Sequence, residues 1–561
     1  MKCIIIGAFA GGTTAAARLR RLNEQANIII FERGEFITLP NGKAVTHINK
    51  SLQEKSVSKA KEASLFAQLY NVDTRLQTEI IAIDTTAKKV TAYHHPTNRI
   101  YEESYDTLIL SLGTKSVIPD LPGVDLPGIF TVKNAHDIQS IRKDLRNHRV
   151  HKATIIGAGF VALEMAEILN NRGIQVTVIE SCNQILPSLD YPIAAVAQQH
   201  IRAKGVHLQL ASNVTGFTKV DEQITVHTDN GDVEADMVIL SIGIVPDTQL
   251  AQRAGLTIGN TNGIVVNEYL QSSNEAIYAV GPAIEFANPI SGQPSYSNFE
   301  AISGKQGRIC ANNIVLGNLE TYKGAINVSI VKIFDLTVAA AGLPTHDLSA
   351  AGIAFTTSTT HSFKQINGHA EEVPFTIQLA FATASGQLLN AQIAGYSGVE
   401  KRIEMLAAEI QQKGNIYQLT EWEHNLTTPY AVEKDPINTA GFVAKNILNK
   451  LLQVFYVTDI SSLSSSNILI DVRSAQQFQE GTIGNATNIP LENMRQFVDI
   501  LPKNQRVFLF CETGKKAYLA QRILVQNGFA QVFVLSGGLC SWHFFNNEKI
   551  ALANSLANEV A

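Results

Sequence analysis

Three places in the sequence combine residue types and spacings that support chemistry. At the first, Gly7 ends an apolar run, Gly11 and Gly12 follow ahead of an alanine-rich stretch, and Glu32 closes the next apolar run. Glycine lets a backbone approach a pyrophosphate, the N–H groups at a helix start receive the anion, and a carboxylate at the end of the next strand accepts ribose hydroxyls. Position 9, where a G-x-G-x-x-G turn carries its second glycine, holds Phe9. The second place reads Gly157-Ala158-Gly159-Phe160-Val161-Ala162, with Glu180 closing the following run. Alanine is allowed at the third small position. Glu180 would bond a ribose 2′-hydroxyl and repel a 2′-phosphate, and Ser181 and Cys182 offer no arginine, so this turn favours NAD(H) over NADP(H). The alternative for either turn is a glycine-rich strand–helix connection without a ligand. At the third place Cys511 leaves the run VFLF and opens the loop Cys511-Glu512-Thr513-Gly514-Lys515-Lys516 ahead of a helical pattern. A strand–loop–helix of this kind turns N–H groups towards a thiolate or persulfide, and Lys515 and Lys516 add positive charge for an anionic sulfur donor. The alternative for Cys511 is a buried structural cysteine.

These residues need a sizeable scaffold, and the composition provides one. The chain has 561 residues, 45% hydrophobic and 17% charged, which suits several packed domains and argues against disorder. With 45 Lys+Arg against 50 Asp+Glu the net charge is −5, which argues against a nucleic-acid or polybasic membrane protein. No apolar run approaches the roughly 20 residues of a spanning helix, so no membrane insertion is expected. Five cysteines, none in a C-x-x-C pair, oppose a disulfide framework or a zinc module, and the histidines show no ligand spacing, so no metal is expected. The expected compartment is the cytoplasm.

The elements that would position the three places follow from the patterning. KCIIIG, the helix-like AFAGGTTAAARLRRL and ANIIIFE read strand, turn, helix, strand; KATIIGAG, FVALEMAEILNNRG and QVTVIE repeat the pattern. Two such units predict two Rossmann-like lobes on parallel sheets. Alternation over 223–240 predicts strands, and 263–281 reads as a hairpin returning to the first lobe. Residues 322–448 read α+β, with a strand at 374–382 and a helix at 401–414, and a Ser-rich stretch at 459–467 precedes a further αβ pattern. The expected fold class is α/β. The expected domains are a first lobe at 1–114 and 246–321, a second at 115–245, an α+β domain at 322–450 and a C-terminal α/β domain at 451–561.

The stretches GAFAGGTTAAARLRRL, LILSLGTKSVIPDLPG, IIGAGFVALEMAEIL, TYKGAINVSIVKIFDLTVAAAGL and EKDPINTAGFVAKNIL resemble the pyridine nucleotide-disulfide oxidoreductases. The resemblance is strongest to the coenzyme A disulfide reductase and NADH-dependent persulfide reductase branch. Residues 467–545, with Asp471-Val472-Arg473, GTIGNATNIP and VFVLSGGLCSWHF, resemble a rhodanese domain. The resemblance implies FAD held by Gly7, Gly11, Gly12, Glu32, Arg33, Gly113 and Gly281. It implies NADH held by Gly157, Gly159 and Glu180 with Phe160 beside the nicotinamide, a homodimer through 322–450, and sulfane sulfur on Cys511 with Lys515 and Lys516.

Several residues depart from the family's pattern. Gly42, after Asn41, stands where the redox cysteine of N-C-G-L-P-Y belongs, and Pro282 stands where Y-A-V-G-D-A carries the aspartate that holds the flavin's ribityl chain. Gly368/His369 and Leu426 take the places of active-site tyrosines, with Tyr430 in place of a phenylalanine. Thr482 and Lys516 replace a usual histidine and arginine of rhodaneses. Without a flavin-side thiolate there is no nucleophile for disulfide reduction. The expectation is an FAD- and NADH-dependent oxidoreductase with a different small-molecule acceptor and a sulfurtransferase domain. The alternatives are a sulfur carrier on a silent flavoprotein scaffold, and a redox-sensing interaction protein.

Overall fold

The computed structural model describes residues 1–37, 59–363, 365–366, 369–370, 374–424, 434–464 and 466–558. It divides into two compact units: Met1–His151, Phe217–Ile224 and Ala235–Asn327, then Lys152–Gly216, Thr225–Glu234 and Val328–Ala561.

In the first unit β1 (Lys2–Ile6) leads through a turn into α1 (Ala10–Leu22), then β2 (Asn27–Phe31), β3 (Asp73–Arg75) and β4 (Thr107–Leu110). These strands form one parallel sheet, in the order Ile277–Ala279, β4, β1, β2, β3. Parallel sheets are covered on both faces, which is why KCIII and NIIIF read as unbroken apolar runs and bury almost every side chain. The helix Glu300–Leu316 lies on α1 at a contact where glycine is required: a Cβ on Gly307 would stand 2.3 Å from the Gly11 carbonyl oxygen. Within 263–281 the chain turns back on itself, with Gln271 bridged antiparallel to Tyr278 and Ala279 N–H donating to the Leu270 carbonyl at 3.0 Å. The longer pairings are parallel: Ile264–Val265 pairs with Ile284–Glu285, and the buried Ile277–Ala279 joins the parallel sheet. Its Ile-Tyr-Ala run needs cover on both faces, and a place at the edge of the parallel sheet beside β4 provides it.

The second unit repeats the first motif with β5 (Lys152–Ile156), α2 (Phe160–Asn170) and β6 (Gln175–Ile179). It continues through α3 (Tyr191–Ala203) to β7 (His207–Gln209). Five antiparallel strands follow: β8 (Ser329–Ile333), β9 (Leu336–Gly342), β10 (Phe355–Ser362), β11 (Phe375–Ala382) and β12 (Leu388–Gly395). Their order is β8-β9-β12-β11-β10, so β10 is an edge. A parallel sheet then uses β13 (Val454–Phe455), β14 (Ile468–Asp471), β15 (Thr487–Asn488), β16 (Val507–Phe510) and, after α4 (Lys515–Gln526), β17 (Val532–Leu535). The order is β13-β17-β16-β14-β15. The last helix, α5 (Gly538–Asn558), reaches back to α3, where buried Glu548 accepts from Gln198 at 2.7 Å and pairs with Arg202 at 3.4 Å.

Candidate functional site

The two glycine turns match bond for bond. Gly7 sits at φ +97 and Gly157 at φ +95, the left-handed region that glycine enters without a Cβ penalty. Gly7 N–H donates to Phe31 at 2.8 Å, and Gly157 N–H donates to Ile179 at 2.7 Å. Each acid then closes its own turn. Glu32 accepts from Ala8 N–H at 2.9 Å and Gly34 N–H at 2.8 Å, and Glu180 accepts from Ala158 N–H at 2.8 Å and Cys182 N–H at 3.0 Å. Both carboxylates are buried, and each stands at the end of its second strand beside the turn.

Phe9 and Gly159 occupy equivalent places as the residue before each helix. Their backbones are alike, φ −88 ψ −179 and φ −76 ψ 179, so phenylalanine costs the first turn no strain. The Phe9 side chain is half exposed, at 50%. A Cβ on Gly159 meets nothing within 4 Å, which leaves an open cradle before α2. Gly12 is the packing glycine of the first turn, since a Cβ there would stand 2.1 Å from the Gly7 carbonyl oxygen. Among the first-turn donors of α1, Gly12 N–H donates to Ser111 Oγ at 3.1 Å. Ser111 also abuts Gly7, and its place in the LILSLG run gave no sign of this role.

These residues fit the phosphate and ribose end of a dinucleotide in both places. Next to the first turn, Arg33 pairs with Asp247 at 3.2 Å, and Asp247 N–H donates to the Gly113 carbonyl at 3.0 Å. Lys133 Nζ donates to the Thr114 carbonyl, and burial, with Arg33 nearby, pushes its pKa down. Sequence reasoning named Arg33 and Gly113 but missed Lys133 and Asp247, which lie far away in the chain. At Gly281, φ +85, the N–H is taken by the buried Gln306 side chain at 2.8 Å, and Pro282 brings neither N–H nor carboxylate.

Cys511 follows β16 and is 3% exposed. Its Sγ is surrounded by main-chain donors from Thr513, Gly514, Lys516 and Ala517, the last at 3.4 Å. Burial nevertheless dominates and pushes the thiol pKa up, with these four N–H groups pulling it down. The amide-lined loop and the buried cysteine, alternatives in the sequence, are thus both present. Lys515 and Lys516 have exposed side chains in the first turn of α4, where the helix dipole disfavours cations. Beneath the loop, fully buried Asp471 accepts from the Arg473 main-chain N–H at 3.0 Å, from the Arg473 guanidinium at 3.1 and 2.7 Å, and from Thr482 at 3.0 Å. Thr482 thus fills the place of the expected histidine as a donor to this acid. Arg473 also faces Glu512 at 3.6 Å. Cys540 is buried, its thiol pushed up to about 12 by burial and by Glu512. Asn41, Gly42, Gly368, Leu426 and Tyr430 lie outside the described residues, as does the His369 side chain.

A sequence profile of the pyridine nucleotide-disulphide oxidoreductases matches residues 1–298, more than half of the chain. The chain belongs to this family. Its members depend on FAD and NAD(P)H. A rhodanese-like domain profile matches residues 458–544, so this member carries a rhodanese-like domain. The solved structure of reduced Bacillus anthracis CoADR-RHD is similar over 98% of both chains, with TM-score 0.91 and 32% identity. An NAD-dependent persulfide reductase from A. fulgidus is similar over 97% of this chain and 100% of its own, with TM-score 0.86 and 29% identity. Among curated relatives, an NADH oxidase of Methanocaldococcus jannaschii is 27% identical over 80% of this chain and 99% of its own. A coenzyme A disulfide reductase of Staphylococcus aureus is 27% identical over 79% and 100%. This pyridine nucleotide-disulphide oxidoreductase has, among its described residues, no helix long and apolar enough to cross a membrane.

Proposed function

We propose that the chain is an FAD- and NADH-dependent oxidoreductase of a homodimer. Its rhodanese domain carries sulfane sulfur on Cys511, and it does not reduce disulfides, because Gly42 stands in place of a thiol nucleophile. The observation that carries this reading is the matched pair of glycine–acid turns in one chain with a cysteine ringed by amides.

Gly7, Gly11, Gly12, Glu32, Arg33, Gly113 and Gly281 hold FAD, and Gly157, Gly159, Phe160 and Glu180 hold NADH. FAD supplies, when bound, a two-electron acceptor for hydride. The chain's own work is positioning: main-chain N–H groups at both helix starts take the phosphates and the two glutamates orient the riboses. At Cys511 the thiolate attacks the outer sulfur of an anionic donor such as thiosulfate. The Sγ–S bond forms as the donor's S–S bond breaks, and sulfite leaves with the bonding pair. A thiolate acceptor then takes the outer sulfur, and Cys511 keeps the pair from the broken bond. The four amides favour the persulfide anion, which ionises more readily than the buried thiol, and Lys515 and Lys516 draw the donor in.

The test is the visible absorbance of the purified protein before and after anaerobic NADH, with sulfur loading from thiosulfate measured alongside. A flavin band bleached by NADH, together with loading lost in Cys511→Ser, is the expected result. No flavin band after reconstitution with FAD overturns the oxidoreductase half. That outcome favours the second reading, a sulfur carrier on a silent scaffold, which the occupied Gly281 N–H and Pro282 support.

A further inference from the structure

We propose that His361, on the outer edge of the antiparallel sheet, is a positioning residue for the Cys511 loop. The inference rests on the reading of Cys511 as a sulfur carrier. Nothing in the sequence joins the two residues, which lie in different sheets of the second unit.

The route is short. His361 lies on edge strand β10, opposite Thr376 of β11. The Thr376 hydroxyl points to the Pro374 carbonyl at 3.4 Å, so its oxygen accepts from His361 Nδ1–H at 2.9 Å. Nε2 is then the unprotonated nitrogen and accepts from Ser541 Oγ–H at 2.8 Å. Burial keeps the ring neutral, with its pKa pushed down to about 3, so this polarity does not invert near neutral pH. Ser541 stands in the first turn of α5. Directly before it, Cys540 N–H donates to the Glu512 carbonyl at 3.0 Å, and Leu539 N–H donates to the Cys511 carbonyl at 2.8 Å. The backbone of the sulfur-carrying loop is therefore held by the same helical turn that His361 anchors.

The glycine pair between them leaves no slack. Gly537, at φ +72, has no room for a Cβ, which would meet Ser541 Oγ at 2.0 Å and His361 Nε2 at 3.0 Å. A Cβ on Gly538, at φ +62, would meet the Cys511 and Glu512 carbonyl oxygens at 2.5 and 2.7 Å. Two further ties fix the same edge: Thr359 N–H donates to Ser536 Oγ at 3.1 Å, and Tyr456 Oη donates to the Thr357 carbonyl at 3.1 Å. Residues 357, 359 and 361 of one strand edge thus grip the rhodanese domain, and only the last reaches the turn that holds Cys511. A displaced turn loosens the carbonyls of Cys511 and Glu512 and disperses the amides around Sγ.

The experiment uses the full chain with His361→Ala, His361→Gln, Ser541→Ala and the His361→Ala/Ser541→Ala pair. Two readouts are taken: thiosulfate-to-cyanide sulfur transfer, and peptide-resolved labelling of Cys511 by iodoacetamide. His361→Ala is expected to lower kcat about 10-fold, the scale of one supporting hydrogen bond, with the KM for thiosulfate unchanged. Labelling of Cys511 is expected to quicken as the loop opens and its burial is relieved. Ser541→Ala reproduces both changes, the double variant adds nothing further, and His361→Gln, whose amide can accept from Ser541, restores most of both. Unchanged kcat and labelling in His361→Ala and Ser541→Ala overturn the proposal. So does equal loss in His361→Gln and His361→Ala with Ser541→Ala unaffected, which marks a packing role only. If the parent chain transfers no sulfur while the labelling changes appear, the positioning role stands and the sulfur-transfer reading falls.

Discussion

Gly12 and Gly159 look alike in the sequence and do different work. Gly12 is needed by the protein itself, because a methyl group there meets the Gly7 carbonyl at 2.1 Å and the turn must open. Gly159 faces open space with ordinary φ, so its missing side chain serves what occupies that space. Gly12→Ala is expected to lower stability by about 1–3 kcal/mol and to reduce flavin content. Gly159→Ala is expected to keep stability within about 1 kcal/mol and to weaken NADH binding about 10-fold. Thermal melts with NADH titration by fluorescence separate the two; equal stability losses would show that the Gly159 cradle is not a ligand site. The same scale explains Phe9. The family's glycine spacing is a rule about close approach, and at φ −88 the backbone accepts any side chain that turns away.

At the scale of elements, α1 depends on the helix Glu300–Leu316 as much as on its own sheet. Gly307 packs against the Gly11 carbonyl at the very turn of α1 that begins the anion site. Gly307→Ala keeps helix propensity but forces the helices apart, so it is expected to cost about 1–3 kcal/mol and to reduce flavin content without touching a cofactor. Urea unfolding and the ratio of flavin to protein absorbance check this, and an unchanged ratio would detach the contact from the site. Edge strand β10 is the second element whose role exceeds its sheet. An open edge invites unwanted pairing, and here Tyr456 and Ser536 take its outward carbonyl and N–H.

The molecule as a whole should be acid-sensitive, and the sign follows from its buried histidines. Burial pushes down the pKa values of His200 and His361, with His361 reaching about 3. Above the ordinary value of 6.5 both folded and unfolded states hold the His361 ring neutral, and it adds no pH dependence. Below 6.5 the unfolded chain takes a proton that the folded chain refuses. Stability therefore falls as pH falls, and this ring's share continues to be lost down to about pH 3. Melting temperatures from about pH 7 to about pH 5 are expected to drop more steeply in the parent than in His361→Gln. Parallel slopes would show that the ring is protonated in the folded state.

Local patterning is enough to place the two glycine turns, their acids, the Cys511 loop and the succession of strands and helices around them. These are local features: spacing sets the turn, unbroken apolar runs set parallel strands, and a strand followed by a glycine loop and a helix sets the anion nest. The sequence showed the turn within 263–281, where Gln271 bridges Tyr278 antiparallel, but not the parallel partners of Ile264–Val265 and Ile277–Ala279, because a short buried run does not announce the direction of its partner strand. It left an amide-lined loop and a buried cysteine as alternatives for Cys511, and the fold shows both at once, with burial outweighing the amides for the thiol. It placed Asp471 and Arg473 in one short motif, yet Thr482, which also donates to Asp471, looked like a mere departure from pattern. Ser111, Gln306, Lys133 and Asp247 gave no signal, since each reaches its turn across a long stretch of chain. His361 shows the limit most clearly. A histidine in a threonine-rich strand has no legible task until the fold sets Ser541 against it, because burial, tautomer and partner are properties of contacts distant in sequence.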